Sequence, residues 1–416
     1  MNASDFHAEA RPGAAGPLAG LRVVEVASYG AGPICSMVLS DLGAEAIKVE
    51  LPGGGDPIRS WPPYLTGSDN SDRWSGIWGL TYNRGKRSVT LDIRKPEGQR
   101  LLRRLAAEAD VLVENFTPGT MARWGLGYAD LRQECPRLVY VSVSGFGQFG
   151  PLSGKRCLDP IAQAMGGAMA ATGERGGRPL RVGFAIADNS GGWLGALGAL
   201  AALRYRARTG RGQWVDAALV EAMLMQTDVK LMGIRHAGMQ VERTGNGIDL
   251  GAPLDTFACA DDRHLFVHAL YDPHWRRLCA VLERQDLVDD ERTRDWDARA
   301  RNRDFVNGVV AEWTARHPLE RAEAQLSRGG VTCGPVMNFD EVLACAHYRE
   351  RASVIDLEHP RHGRVSTFGT PVKFSRTPAG PHAAAPALGA DNDTVYGDLL
   401  GLDADERARL AADGVI

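Results

Sequence analysis

The sequence predicts an α/β protein built on a parallel sheet, joined to a smaller α+β domain. Two observations carry this. Through the first 150 residues, strand-like runs alternate with helix-like runs, and the strands are near-continuous Val, Leu and Ile, as in strands buried on both faces. From about residue 272 to 350 the pattern changes to charged amphipathic helices, the mark of a second and smaller unit.

Taken in order, LRVVEVAS (21–28) is a buried strand. PICSMVLSDLG (33–43) is a helix, with Pro33 suited to its first turn and Gly43 to its end. EAIKVE (45–50) is the second strand, and Pro52 to Ser75 is a Gly/Pro/Ser-rich loop carrying aromatic residues. RSVTLDI (87–93) is the third strand, KPEGQRLLRRLAAEA (95–109) a helix and DVLVENF (110–116) the fourth strand. YADLRQECP (128–136) is a short helix and LVYVSVSGFG (138–147) the fifth strand.

Beyond Leu158 the chain turns to helices rich in Ala, Met and Gly, LDPIAQAMGGAMAATG (158–173) and GGWLGALGALAALRYRARTG (191–210). One more strand, GQWVDAAL (212–219), precedes the helical VEAMLMQTDVKLMGIRHAG (220–238). A Gly-rich loop from Thr244 then leads into a hairpin turning at Ala260-Asp261-Asp262. GRVSTFGTPVKFSRTP returns to β structure, and two short helices close the chain. The expected division is a flexible tail over 1–17, a large domain over 18–225, a smaller domain over 226–350 and a return segment over 351–416. The fold class is a Rossmann-like parallel sheet with a smaller α+β domain.

Composition excludes several functions. With 416 residues, 44% hydrophobic and 24% charged, the chain is long enough for a large core and is not disordered. A net charge of −3 gives no general pull toward nucleic acid or an anionic membrane. The seven Cys never adopt a CxxC spacing, which points to reduced thiols in a cytoplasm rather than to a disulfide frame or a zinc site. The start lacks an apolar run behind a basic head, so it does not read as a signal peptide. The longest apolar run, Gly191 to Leu203, is too short to span a bilayer. The ten His form no HExxH or paired ligand spacing, and neither a P-loop nor a GxSxG elbow occurs, so no metal site is expected.

GAGPIC (30–35) followed by Glu50 imitates a dinucleotide fingerprint, with an acid about twenty residues on for a ribose. The third glycine is replaced by Cys35, and a plain strand-to-helix turn explains Gly30 and Gly32 without a cofactor.

Asp188 ends a short apolar run, and Asn-Ser-Gly-Gly and a glycine-rich segment follow. By residue type it suits a helix N-cap, worth about 1 kcal/mol. A second reading comes from a set of ordered blocks: DLGAEAIKVE, NRGKRSVTLDI, ADVLVENFTPGTMARWGLGY, VSVSGFGQFGP, DPIAQAMGG, ADNSGG and TGRGQWVDAAL. Together they resemble the class III CoA-transferases, the formyl-CoA and carnitine CoA-transferase group, whose fold is shared with the α-methylacyl-CoA racemases. The likeness runs in order from about Leu18 to Glu221 and resumes weakly in GVTCGPVMNFDEV and GTPVKFSRTP.

The resemblance implies a reaction and a site. It makes Asp188 the nucleophile that takes an acyl group from CoA and then CoA itself, which passes to a carboxylic acid acceptor; no tightly bound cofactor is implied beyond the CoA thioester substrate. Backbone N–H groups from Asn189 to Gly192, with the glycines Gly191 and Gly192 admitting substrate, are the expected oxyanion donors. Asp159 is a secondary candidate, or else a cap of the helix that opens at Pro160. The residue before it is a base in the racemase branch and is Leu158 here, which neither takes nor gives a proton. That favours transfer over the alternative, an acyl-CoA racemase or epimerase.

For CoA the resemblance points to Asn83, Arg84, Lys86 and Arg87, and to Asn115, Phe116 and Arg123, with the cations on phosphate and Asn115 and Phe116 on adenine or pantetheine. A solvated surface charge is the plain alternative for each cation. Leu51 and Gly30 replace residues of the formyl-CoA branch and put formyl or oxalate specificity in doubt. TGNGIDLG (244–251) is the counterpart of that branch's glycine loop, as a lid or merely as a loop. The resemblance also implies a homodimer with interlocked chains.

Overall fold

The computed structural model describes residues 3–10, 13, 15–68, 72 and 74–416. They fall into two compact units, Met1–Ala168 with Val182–Asp228 and Ala346–Ile416, and Met169–Arg181 with Val229–Cys345.

The first unit is organised by β1 (Arg22–Val26), β2 (Glu45–Glu50), β3 (Lys86–Thr90), β4 (Val111–Glu114), β5 (Val139–Ser144) and β6 (Trp214–Ala218). They lie in the order β3-β2-β1-β4-β5-β6, and every pairing is parallel. The alternation read from sequence is thus realised as a Rossmann-like sheet. Val23 and Val24 point to opposite faces and both are buried, because helices cover the two sides. On one side Leu101, Leu102 and Leu105 of the helix Pro96–Ala107 pack on Val24, Ile47 and Leu112. On the other, the helices Ala31–Asp41 and Ile186–Thr209 pack on Val23, Val111 and Val141. The strand order reverses between β1 and β4, and the crevice at the carboxyl ends of strands at such a point is where open α/β sheets take ligands.

The free edge of β3 is covered by the returning C-terminal segment. Asp391 Oδ2 accepts the Ser88 N–H at 2.8 Å, and Asn392 Oδ1 accepts that of Thr90 at 2.9 Å. Tyr396, fully buried, donates its hydroxyl to the Thr90 carbonyl at 2.7 Å.

The second unit holds an antiparallel sheet of β7 (Leu254–Ala258), β8 (His264–His268) and β9 (Thr332–Pro335). The helices Asp272–Val281, Arg303–Thr314 and Leu319–Arg328 supply Leu278, Val310 and Leu326 to its core. The hairpin turn comes where Ala260-Asp261-Asp262 predicts it, with Asp262 at φ 59°. The glycine loop 244–251 belongs to this unit. A last hairpin, β10 (Val354–His359) with β11 (Gly363–Phe368), belongs to the first.

The structure departs from the sequence reading in four places. A helix forms at Ile77–Tyr82, a stretch with no helical period, because Gly76 and Gly79 let it close onto the backbone of Arg59. The glycine-rich helix begins at Ile186, ahead of Asp188 rather than after it. Residues 169–181, assigned by sequence to the large domain, join the second unit, where the Gly245 N–H bonds the Gly173 carbonyl at 2.9 Å. In the expected tail, Ala3–Phe6 is helical and Leu18, just beyond it, bonds the Leu42 carbonyl at 2.9 Å; Arg11, Pro12 and Ala14 lie outside the described residues. Among the described residues no helix is long and apolar enough to cross a membrane.

Candidate active site

Asp188 stands in the first turn of Ile186–Thr209, whose cap position is Ala185. The side chain that caps this helix comes from elsewhere in the chain. Asp159 Oδ1 accepts the backbone N–H of Ala187 at 2.8 Å and that of Asp188 at 3.3 Å, and Gln163 donates to Asp159 Oδ2 at 2.7 Å. Asp159 therefore does not cap its own helix, Asp159–Met165, as the sequence suggested; that helix has no side-chain cap. The division of labour leaves the Asp188 carboxylate free of capping duty.

The expected oxyanion donors are corrected as well. The Asn189 N–H bonds the Ala185 carbonyl at 3.0 Å, and the amides after it belong to the helical ladder. Gly191 and Gly192 face the core. A Cβ on Gly192 would lie 2.7 Å from the Ala31 carbonyl oxygen, and one on Gly191 would lie 3.2 Å from Leu219. Their smallness serves the close packing of this helix on the helix Ala31–Asp41 and on Leu219, which opens the helix Leu219–Met225, not the approach of a substrate.

Asp188 Oδ2 lies against the turn between β1 and the helix Ala31–Asp41. A Cβ built on Gly30 would be 2.4 Å from it. Burial, with the Asp159 charge adding to it, pushes the Asp188 carboxyl up to about 7. Two proton-bearing groups share this surrounding. Burial, and next the Asp188 charge, hold the Tyr82 phenol up at about 12 and the Cys157 thiol at about 11. The side chain before Asp159, Leu158, is 65% exposed and offers no proton.

Behind the turn lies a set of buried charges in balance. Lys48 Nζ meets Glu25 Oε1 at 2.5 Å and Asp56 Oδ2 at 2.9 Å, and Lys86 Nζ meets Glu25 Oε2 at 2.7 Å. Glu50 pairs with Arg59 at 2.7 Å and accepts the Ser88 hydroxyl at 2.7 Å. Glu50, the residue in the position of a ribose-binding acid, is thereby committed inside the protein, and burial is outweighed by Arg59 so that its carboxyl is held down at about 2.

The cations expected on phosphate are placed differently from the sequence reading. Lys86 is fully buried on Glu25, and Arg84 is buried on Asp41 at 2.6 Å, so neither presents a charge to a ligand. Arg87 is tied to Glu45 at 2.5 Å and Asp391 at 3.2 Å. Asn83 is buried, its Oδ1 facing Lys86 Nζ at 3.5 Å. Asn115 uses both ends of its amide on the backbone of Ser28. Arg123 is exposed and donates to Thr120 at 2.8 Å. Phe116 packs edge-on against Trp124, and these two rings, with Ser28, Leu51 and Arg94, line a cavity of about 190 Å³ at the carboxyl ends of β1 to β4.

Comparison with known proteins gives this geometry a context. The sequence model of CoA-transferase family III matches residues 18–392. The chain belongs to that family. It is 36% identical over 402 residues to the succinyl-CoA–D-citramalate CoA-transferase of Chloroflexus aurantiacus, covering 96% of this chain and 98% of that one. It is 37% identical to the succinyl-CoA:mesaconate CoA-transferase of Haloarcula hispanica, covering 90% and 94%. A CAIB/BAIF family protein from Brucella suis superposes with a TM-score of 0.81 at 34% identity, covering 92% and 99%. This family III CoA-transferase moves CoA from an acyl-CoA to a carboxylate.

Sequence reasoning missed Tyr82, Cys157, Lys48 and Asp56 around the site of this transferase. The first two carry no motif, and the last two read as ordinary members of a strand and a loop. Gly30, read as a departure from another branch, is what allows Asp188 its place. If the Asp188 carboxylate reacts, Gly30→Ala is expected to cut kcat by about 100-fold with the fold intact, because the new methyl group displaces that carboxylate and a reacting group must be placed to within about 1 Å. Steady-state kinetics beside a thermal melt checks this, and an unaltered kcat contradicts it.

Proposed function

We propose that Asp188 carries the transfer through two kinds of covalent intermediate. Its carboxylate attacks the acyl-CoA carbonyl, the C–S bond breaks, and an aspartyl mixed anhydride and CoA thiolate form. The thiolate attacks the aspartyl carbonyl, releasing the donor acid and leaving an aspartyl-CoA thioester. The acceptor carboxylate attacks that thioester, and the returning thiolate takes the acceptor acyl group, regenerating Asp188. No net proton is consumed. One observation carries the reading: a carboxylate partly open to solvent, relieved of capping by Asp159, at a turn where no side chain intervenes.

The oxyanion donors that fit are the first-turn amides of Ala31–Asp41. This helix starts at Gly30 with no side chain capping it, and its N-terminal end favours developing negative charge beside Asp188. The cavity lined by Phe116, Trp124 and Arg94 suits the adenosine and phosphates of CoA, with Arg123 adjacent to Trp124. The two relatives are named for succinyl-CoA with citramalate or mesaconate, both dicarboxylates, and a short dicarboxylic acyl-CoA and acid are the pair proposed here. Exposed Trp193 and Leu197 on the Ile186–Thr209 helix support self-association as a homodimer, and seven unpaired cysteines support a reducing, cytoplasmic setting.

Incubation with succinyl-CoA and no acceptor, followed by peptide mass spectrometry, is expected to place the adduct on Asp188. The same chemistry needs the carboxylate, so kcat/KM is expected to fall about tenfold per unit below a pH near 7. An adduct elsewhere, or a flat acid limb down to pH 5, contradicts the reading.

A further inference from the structure

The turn 27–33 is tied down by four side chains from different parts of the first unit, of which Lys48, Asp56 and Lys86 are buried and Asn115 half-buried. Lys48 Nζ donates to the Ala27 carbonyl at 2.9 Å. Asn115 accepts the Ser28 N–H at 3.0 Å and donates to the Ser28 carbonyl at 2.7 Å. Asp56 Oδ1 accepts the Tyr29 N–H at 3.1 Å, and Lys86 Nζ donates to the Pro33 carbonyl at 3.0 Å. Three of these hold ordinary backbone. The Asp56 bond holds Tyr29 at φ 66°, in the left-handed region, which a tyrosine leaves by a factor of roughly ten or more unless something retains it.

We propose that Asp56 is a positioning residue for the transfer: it keeps Tyr29 left-handed and so holds Gly30 against the Asp188 carboxylate. Its two oxygens are divided for the task. Oδ2 is fixed by Lys48 at 2.9 Å, which leaves Oδ1 aimed at the N–H groups of Tyr29 and Ile58. Lys48 is in turn anchored by Glu25, its direct partner across β1 and β2, so the pin is rigid back to the sheet. The consequence reaches the site because Gly30 is both the residue after Tyr29 and the start of Ala31–Asp41. If Tyr29 relaxes to negative φ, the 29–30 peptide rotates, and the first helical turn loses its place beside Asp188. The ring adds a second restraint: Tyr29 is 41% exposed and packs edge-on against the exposed Trp61 with centroids 5.5 Å apart.

The proposal rests on the reading of Asp188 as nucleophile, and a double-mutant cycle on the full-length protein separates the two. Asp56→Ala is expected to lower kcat at least about tenfold, the population lost when an unpinned tyrosine leaves the left-handed region. In a Tyr29→Gly background the same change is expected to cost less than about threefold, since glycine takes φ 66° without restraint. The lost Lys48 contact lowers stability equally in both backgrounds, so a purely structural role moves the melting temperature but shows no such difference in kcat. Asp56→Asn, nearly isosteric, guards against misfolding; its one acceptor oxygen is drawn to Lys48, and it is expected to show the same dependence on residue 29. Equal losses in kcat in the parent and the Tyr29→Gly backgrounds, for either variant, overturn the proposal. Asp188→Ala assayed alongside tells the failures apart: transfer persisting there removes the nucleophile, whereas an additive cycle with Asp188 essential removes only the pin.

Discussion

Asp188→Asn is expected to abolish CoA transfer while making the protein more stable above pH 7. The activity loss follows from the chemistry: a carboxamide cannot form the anhydride, and kcat is expected to fall by at least about 1,000-fold, the scale on which lost covalent nucleophiles are felt. The stability gain follows from burial. The folded carboxyl titrates at about 7 against 3.8 in an exposed chain, because burial and the neighbouring Asp159 oppose its charge. Between those values the folded state holds more protons than the unfolded state, so stability falls as pH rises through the window, and the full penalty is present above 7. Asparagine carries no such penalty. The expected gain is of the order of 2–4 kcal/mol at pH 8, fading as pH falls toward 4. Urea unfolding of both proteins at pH 8 and pH 5 checks the sign. A variant less stable than its parent at pH 8 would mean that the carboxylate is stabilised in place, and the reading of a strained, functional acid would be lost. The trade is the expected one for a site where function sets the residue.

Glu25→Ala is expected to cost about 3–5 kcal/mol at pH 7, a large share of the stability of a typical protein. Glu25 is buried completely and receives Lys48, Lys86 and the Ser36 hydroxyl, so its removal takes the ion-pair partner from the buried Lys86 and leaves the buried Lys48 on Asp56 alone. Burial already lowers Lys86 to about 8 from 10.5, with Glu25 opposing that fall. A lysine lowered in the folded state costs stability while the unfolded chain is still protonated, and that cost shrinks as pH rises from 8 to 10.5. Without Glu25 the fall is deeper, so Lys86 of the variant loses its proton at a lower pH than that of the parent, and the deficit of the variant is expected to narrow as pH rises through 7 to about 8 and to stay level above it. Denaturant midpoints at pH 7 and 9.5 test this; equal midpoints for the two proteins at pH 7 would show that the cluster is not cohesive.

Much of the fold was legible because burial leaves a one-dimensional trace. Strands covered on both faces need apolar residues at successive positions, and β1, β4 and β5 carry such runs, whereas β6, with Trp214 and Asp216 exposed, was read from a mixed stretch. The proposed nucleophile was legible only through the order of blocks along the chain, since an isolated Asp before glycines reads equally well as a cap. Sequence could not show that Asp159 caps the helix of Asp188, because that bond joins residues 28 and 29 apart. Nor could it show that Arg84 and Lys86 point inward. A cation that serves a phosphate and one that serves a buried acid look alike until the acid is placed.

What the sequence determined alone was the layering and the reaction class, since these depend on residue types in linear order; it also singled out Asp188 as the candidate nucleophile. The tertiary structure decided which charges face a ligand and which hold the protein together. Glu25 meets Lys48 because the parallel register of β1 and β2 sets them side by side, and Asp188 meets Gly30 because glycines let two helices close to backbone contact. Register and helix spacing are properties of the packed whole, and no local pattern of residues encodes them.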